Sequence, residues 1–322
     1  MKNTIVGDNI EACLLRKLVL NGSFIPSETL AEALGISTEE VEKLVKVISL
    51  KGYPIEAHPK LGYRLVQSDS LAEIQYSVQA LKTSLSFIIH YFESCSSTQE
   101  IAAMLAESGV NEGAVVIAEE QTAGRGRLSR SWVSPHGGLW FTIVLKPEKF
   151  THLLSLAIGT AIATALRELF GIEARLKWPN DVQVEGRKVG GILVECTSEA
   201  EKLRYALVGI GVNVNNELPS ELRDVAVSIR ELLGRAVPRT LLLLRILEKV
   251  DENYVKLLGG FTRDIIEDWK KLSVTLGKRV RIIASNEVYE GYAIDITSNG
   301  GLVVDLGDRL EVFYAGDVVH LR

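Results

Sequence analysis

The segment Gln121-Thr122-Ala123-Gly124-Arg125-Gly126-Arg127 closes an apolar run at 114–118. About twenty residues separate that run from the next, at 139–145, which is long for a plain connection and points to function. Two guanidinium groups alternate with two glycines. That pattern suits an anion, because arginine forks match phosphate or carboxylate oxygens and bare backbone N–H groups complete the cradle. Glycine also permits positive φ and close approach of a ligand. A solvated basic turn is the alternative. Three more segments stand at the ends of apolar runs: Lys177-Trp178-Pro179-Asn180-Asp181, Arg187-Lys188-Val189-Gly190-Gly191 and Gly209-Ile210-Gly211-Val212-Asn213-Val214-Asn215. Lys188 precedes paired glycines, where a ligand can come close. Ser97, Thr98 and Gln99 stand where a strand gives way to a helix. Their hydroxyls cap that helix or, with the amide, hold a neutral polar ligand. Gly124-x-Gly126 matches neither the dinucleotide fingerprint nor the Walker phosphate loop. Each segment alone is an ordinary turn or cap; their order and chemistry together imply one anion-handling site.

The chain must supply elements that bring these segments together. Its 322 residues, 47% hydrophobic, suffice for two or three domains and a sizeable core. A net charge of −5 argues against a protein devoted to coating nucleic acid. Cys13, Cys95 and Cys196 are few, odd in number and far apart, which fits a reducing, cytoplasmic compartment. The opening residues lack an apolar signal core. The most apolar helical stretch, near 153–166, is too short to span a bilayer, so no membrane role is expected.

Residues 9–66 read as a small separate unit. Ile10, Leu14, Leu15, Leu18 and Val19 share one helical face. Ser27 is placed to cap a second helix and Ser37 a third, and two short strands follow as a wing. This is the helix-turn-helix pattern. Against DNA binding, the third helix opens Thr38-Glu39-Glu40-Val41-Glu42, facing carboxylates toward phosphate. Residues 1–66 hold eight basic and eight acidic side chains, a net of zero, so the unit lacks the usual electrostatic advantage. DNA and a plain packing role both stay open. The middle of the chain alternates strands with helices, including a long apolar helix from Phe150 to Phe170. From Val274 the pattern changes to four short strands with glycine turns, a small barrel.

Taken together, the GRGR loop at 124–127, Ser134-Pro135-x-Gly137-Gly138-Leu139, KWPND at 177–181, RKVGGILVE at 187–195 and GIGVNVN at 209–215 resemble the biotin–protein ligases. The N-terminal unit resembles the winged helix-turn-helix of that family's bifunctional ligase/repressors. The resemblance implies an α/β (α+β) fold: a class II aminoacyl-tRNA synthetase-like mixed-sheet core at 67–272, a winged helix-turn-helix at 1–66 and an SH3-like small barrel at 273–322. It implies activation of biotin by MgATP to biotinyl-5′-adenylate, then transfer to a lysine of a biotin carboxyl carrier protein.

The same resemblance assigns Ser97, Thr98, Gln99, Gln121, Trp132, Gly137 and Gly138 to biotin. Arg125, Gly126 and Arg127 would order over biotin and the adenylate phosphate, and Lys188 would meet the biotin carboxylate and α-phosphate. Asn180 and Asn213 would serve the nucleotide, while Asp181 would lie near the reacting carbonyl. No metal-ligand set emerges beyond Mg²⁺ on ATP. Arg322 is a further candidate for the phosphates. Two departures stand out: Leu128-Ser129 follows GRGR where relatives carry more arginine and glycine, and Gln99 replaces an asparagine. The alternative reading is a biotin-responsive DNA-binding regulator with weak ligase activity. A lipoate–protein ligase would share the core but lack the GRGR and KWPND combination. A sheet edge of the central domain would be the place for a homodimer contact.

Overall fold

The computed structural model describes residues 10–66, 69–149, 151–199, 202–284 and 287–321. The opening residues through Asn9, Phe150 at the expected start of the long apolar helix, and Arg322, a candidate for the phosphates, lie outside the described residues. Three helices, α1 (Ile10–Asn21), α2 (Ser27–Leu34) and α3 (Thr38–Leu50), precede the hairpin of β1 (Ile55–His58) and β2 (Gly62–Leu65). The short α4 (Gln75–Gln79) leads into β3 (Ile88–Cys95), α5 (Thr98–Glu107), β4 (Ala114–Gln121), β5 (Leu139–Leu145) and α6 (Leu153–Phe170). Then come β6 (Arg175–Lys177), β7 (Asp181–Val184), β8 (Arg187–Glu199), β9 (Lys202–Val212), α7 (Ile229–Leu233), α8 (Arg239–Leu258) and α9 (Thr262–Leu272). The chain closes with β10 (Arg279–Ala284), β11 (Glu287–Ile296), β12 (Leu302–Asp305), β13 (Leu310–Phe313) and β14 (Asp317–His320).

The central sheet runs β3-β4-β5-β9-β8-β7-β6. Only β3 and β4 are parallel; the other neighbours are antiparallel, so the sheet is mixed as expected. The apolar runs of β4 and β5 are adjacent interior strands with nearly every residue buried. The α6 helix is long and apolar enough to cross a bilayer, yet 78% of it is buried inside the protein, so it is a core helix. It packs against α8 and α9. At the hairpin joining β7 to β8, Glu185 and Gly186 both take positive φ, as a tight two-residue turn requires.

Local details differ from the sequence reading in two places. Ser27 is the first residue of α2 rather than its cap; Pro26 precedes it, and no side chain caps the helix. Ser37 does cap α3, and Glu40 answers it in a reciprocal capping box. The C-terminal sheet has five strands, ordered β13-β12-β11-β10-β14, one more than the four expected. The extra strand, β14, is only four residues long and pairs with β10.

The N-terminal unit does not stand apart in space. Leu14, Leu15 and Leu18 belong to the same buried cluster as Leu166 and Leu169 of α6. Arg16 Nε donates to the Glu168 carbonyl at 2.9 Å. Tyr53 Oη donates to Glu248 Oε2 at 2.6 Å. Arg245, 3% exposed, holds Glu168 at 2.6 Å and Glu248 at 2.8 Å. Burial disfavours its charge, but the Tyr53, Glu168 and Glu248 groups around it outweigh that and raise its pKa. Replacing Arg245 with alanine would strand two carboxylates beside this joint. We expect Arg245→Ala to lower unfolding free energy by about 3–5 kcal/mol. Urea unfolding followed by circular dichroism checks this; an unchanged midpoint would show that the network carries no stability.

Candidate active site

The start of α5, the ends of β4 and β6 and residues of β7, β8 and β9 face one cavity of about 500 Å³. Its lining includes Ser97, Thr98, Gln99, Gln121, Arg125, Gly126, Arg127, Trp132, Asn180, Asp181 and Lys188. Trp132 apart, these come from four of the segments singled out above, and Gly209, Ile210 and Gly211 of the fifth line the cavity too. Gly137, Gly138 and Asn213 do not line it. Asn213 is buried and accepts from Asn216 Nδ2 at 3.2 Å. Gly137 takes positive φ against the Asn215–Asn216 backbone, and Gly138 lies under the Trp140 ring, where a Cβ would stand 1.8 Å from it. These three residues shape the segment behind the cavity.

One end of the cavity is polar and uncharged. Ser97 caps α5 by accepting from the Gln99 N–H. Thr98 and Gln99 are thereby held at the first turn, both buried. Gln121 Oε1 accepts from the Thr98 N–H at 2.9 Å, and its amide donates to Ser134 Oγ at 2.8 Å. Thr142 Oγ1, in the middle of β5, lies 3.0 Å from Gln99 Oε1 and 2.9 Å from Thr98 Oγ1. A closed network of this kind holds these side chains in place. Sequence reasoning missed Thr142 and Ser134. The signal for Thr142 was a lone hydroxyl in an otherwise apolar strand.

The floor between the two ends is bare sheet. A Cβ on Gly211 would stand 2.7 Å from Trp132 Nε1, and one on Gly191 3.0 Å from the same ring. The two glycines therefore let the indole lie flat on the strands. Trp132 Nε1 is buried without a hydrogen-bond partner. An orphaned donor in a cavity is the mark of a missing acceptor.

The other end is charged. Lys188 Nζ lies 2.6 Å from Asp181 Oδ1 and 4.9 Å from the centre of the Trp132 ring. Arg127 donates to Asn180 Oδ1 at 3.1 Å and to the Gly316 carbonyl at 3.5 Å. Burial holds its pKa below the usual arginine value, though Asp317 and Asp181 pull the other way. Arginine stays charged throughout. Arg125 pairs with Glu195 at 2.6 Å. Lys177 also lines the cavity, as do Arg130, Gly316 and Asp317; the sequence reading singled out the segment of Lys177 but gave the lysine no role, and gave none to the other three.

The loop between β4 and β5 is shaped differently from expectation. Gly124 and Gly126 are not in the positive-φ region; Leu128 and Ser129 are, at 54° and 57°. Gly124 is needed for space instead, since a Cβ there would stand 2.3 Å from the Trp132 carbonyl oxygen. Non-glycine residues in that region carry strain of about 1 kcal/mol or more each. The loop is held down across the chain: Arg130 forms an ion pair with Asp317. Among the described residues no group of three His, Cys, Asp or Glu could hold a metal by itself.

The fold, a mixed sheet carrying a cavity with one neutral and one cationic end, is that of the biotin/lipoate A/B protein ligase family, which residues 91–213 match. Residues 275–321 match the biotin protein ligase C-terminal domain, and 13–64 a helix-turn-helix domain. The bifunctional ligase/repressor BirA of Bacillus subtilis is 33% identical over 306 residues, covering 92% of this chain and 93% of that one. The biotin–[acetyl-CoA-carboxylase] ligase of Mycobacterium tuberculosis is 33% identical over 236 residues, 70% of this chain and 86% of its own. The Aquifex aeolicus biotin protein ligase, solved in complex with biotin and ATP, superimposes with a TM-score of 0.65 at 32% identity, covering 73% of this chain and 98% of that one. The chain belongs to the biotin protein ligases, in the group that carries an N-terminal helix-turn-helix.

Asp317→Ala would release Arg130 and free the loop. An exposed pair of this type is worth up to about 1 kcal/mol, so tryptic cleavage after Arg125, Arg127 or Arg130 should accelerate by up to about fivefold. Cleavage at the unchanged rate would show that the pair does not hold the loop.

Proposed function

We propose that this protein activates biotin with MgATP and transfers the biotinyl group to a lysine of a biotin carboxyl carrier protein. One observation carries the reading. A neutral hydrogen-bonding end and a cationic end share one cavity, separated by a floor on which Trp132 lies. Biotin has the same polarity: a neutral ureido group, an apolar middle and a carboxylate. The buried Ser97, Thr98 and Gln99, with the half-buried Gln121, receive the ureido end. Trp132 packs along the middle and offers its free N–H. The carboxylate reaches Lys188. Gly137, Gly138 and Asn213 serve by shaping the β5 and β9 ends behind the cavity.

In the first step a biotin carboxylate oxygen attacks the α-phosphorus of ATP. The bond to the bridging oxygen breaks, and its electron pair leaves with pyrophosphate. Two anions must meet, so cations placed beforehand lower the barrier. Arg125, Arg127 and Lys188 supply them, and Asn180 orients Arg127 toward the phosphate. Magnesium is held mainly by substrate phosphates with one or two carboxylates, which fits a cavity whose lining carboxylates are Asp181 and Asp317. When bound it neutralises phosphate charge. In the second step the acceptor amine attacks the mixed-anhydride carbonyl and AMP departs. Asp181, freed from Lys188 once that lysine turns to the substrate, orients the amine and takes its proton. The loop at 124–130 covers the intermediate and keeps water away.

We divide the chain into three domains: a winged helix-turn-helix at 1–66, the biotin- and ATP-binding catalytic domain at 67–272 and an SH3-like C-terminal domain at 273–322. The N-terminal unit is read as DNA-binding, supported by its helix-turn-helix match and by relatives that act as repressors. Glu40 closes the Ser37 capping box and keeps its negative charge, so the three carboxylates at the start of α3 still count against phosphate contact there. We place the protein in the cytoplasm, where Cys13, Cys95 and Cys196 stay free.

Labelled biotin, ATP and a carrier domain test the main reading. Covalent label on a carrier lysine is expected; no label and no biotin-dependent pyrophosphate release would overturn it. Lys188→Ala should cut adenylate formation by about a hundredfold or more with an unchanged circular dichroism spectrum. Retained synthesis would remove Lys188 from the step. A duplex mobility shift that appears only with biotin and ATP supports the repressor role, and no shift at any ligand concentration rejects it.

A further inference from the structure

The cavity holds one more ammonium group, and its circumstances differ from those of the others. Lys177 ends β6, directly across the ladder from Asp181 on β7. It is half-buried and lines the cavity. Arg125 is bound to Glu195, Arg130 to Asp317 and Lys188 to Asp181. Arg127 has only neutral partners. The Lys177 side chain makes no hydrogen bond or ion pair among the described residues.

A cation withdrawn from water with no carboxylate in contact is costly to keep. Burial holds the Lys177 pKa below the ordinary lysine value; Asp181 and Asp317 resist this, and Lys188 adds to it. Its charge is felt on the other side as well, where it helps depress His320 of β14. Lys177 thus stands between the central sheet and the C-terminal sheet, on the flank of Asp181. Such a group is a functional-site candidate. Its own hairpin and the neighbouring strand offer carboxylates, yet none closes on it.

We infer that Lys177 receives the pyrophosphate leaving group of the adenylation step. The inference rests on the ligase reading above. Lys188 and Arg127 are assigned there to the biotin carboxylate and the α-phosphate. The charge released when the bridging bond breaks needs its own counter-ion, and a lysine ammonium is a compact point cation suited to phosphate. Lys177 contacts that oxygen-rich group only while ATP or pyrophosphate is bound. It has no part in the second step, in which AMP is the leaving group and the β- and γ-phosphates are already gone.

The test uses the full-length protein with Lys177→Met and Lys177→Arg. Loss of a preorganised cation should slow ATP-dependent adenylate formation by about thirtyfold or more in Lys177→Met. Transfer from synthetic biotinyl-5′-adenylate to the carrier should stay within about twofold of the unmodified protein, because both forms keep the second-step groups. Calorimetric binding of inorganic pyrophosphate with magnesium should weaken by about tenfold in Lys177→Met and recover in part in Lys177→Arg, which keeps the charge but not the point geometry. Parallel loss of adenylation and transfer would overturn the inference, as would unchanged pyrophosphate binding. If the unmodified protein makes no adenylate, the ligase reading itself fails, whereas failure of the Lys177 assignment alone shows as unchanged pyrophosphate binding in Lys177→Met with adenylate still made by the unmodified protein.

Discussion

The contact between Lys188 Nζ and Asp181 Oδ1, at 2.6 Å, is the interaction on which the rest of the site depends. A cavity that gathers several like charges is easier to keep folded when most of them are opposed until substrate arrives. Asp181 can do this because β7 and β8 form a hairpin that sets Asp181 beside Gly191 in the ladder. The turn at Glu185 and Gly186 brings Lys188 back along the same edge. The same logic recurs with Glu195 and Asp317. Each opposing carboxylate comes from a different element, so the cationic wall exists only in the folded chain. The C-terminal sheet is part of that wall, since Gly316 and Asp317 contact the loop that carries Arg127 and Arg130.

The neutral end works by the opposite principle. Its groups are buried, and they satisfy one another: Thr98 with Gln121, Thr142 with Gln99 and Thr98, Gln121 with Ser134. Nothing there asks for an ion. A ligand with a fixed donor and acceptor pattern is favoured over water only if its pattern matches, because each mismatch would leave a buried polar group unpaired. The glycines of β8 and β9 matter for shape: a methyl at Gly211 would lift the Trp132 ring from the sheet.

Much of this was legible in the sequence. Apolar runs at 114–118 and 139–145 read as strands because they are buried on both faces, and the motif-bearing turns lie at strand ends. What was not legible depends on distance or on local competition. Arg130 and Asp317 are 187 residues apart, and no pattern links them. β14 is too short to show alternation. Ser27 looked like a cap, but Pro26, with its fixed φ, took that position. Glycine composition suggested where φ would be positive, and the strain fell on Leu128 and Ser129, because Gly124 was required for close packing. Lys177 sat in plain view within its motif, but an unpaired charge is a property of its surroundings and not of its spelling.

The seam between the N-terminal helices and the catalytic core has a bearing on genetics. The two parts share apolar residues, and the Tyr53–Glu248–Arg245–Glu168 chain of contacts runs through the joint. A truncated gene lacking the first helices would bare the Leu166 side of α6 and unseat buried acids, and so would confuse loss of regulation with loss of folding. An allele that separates the two roles has to be made by altering the solvent side of α3 or the wing, with the seam left whole.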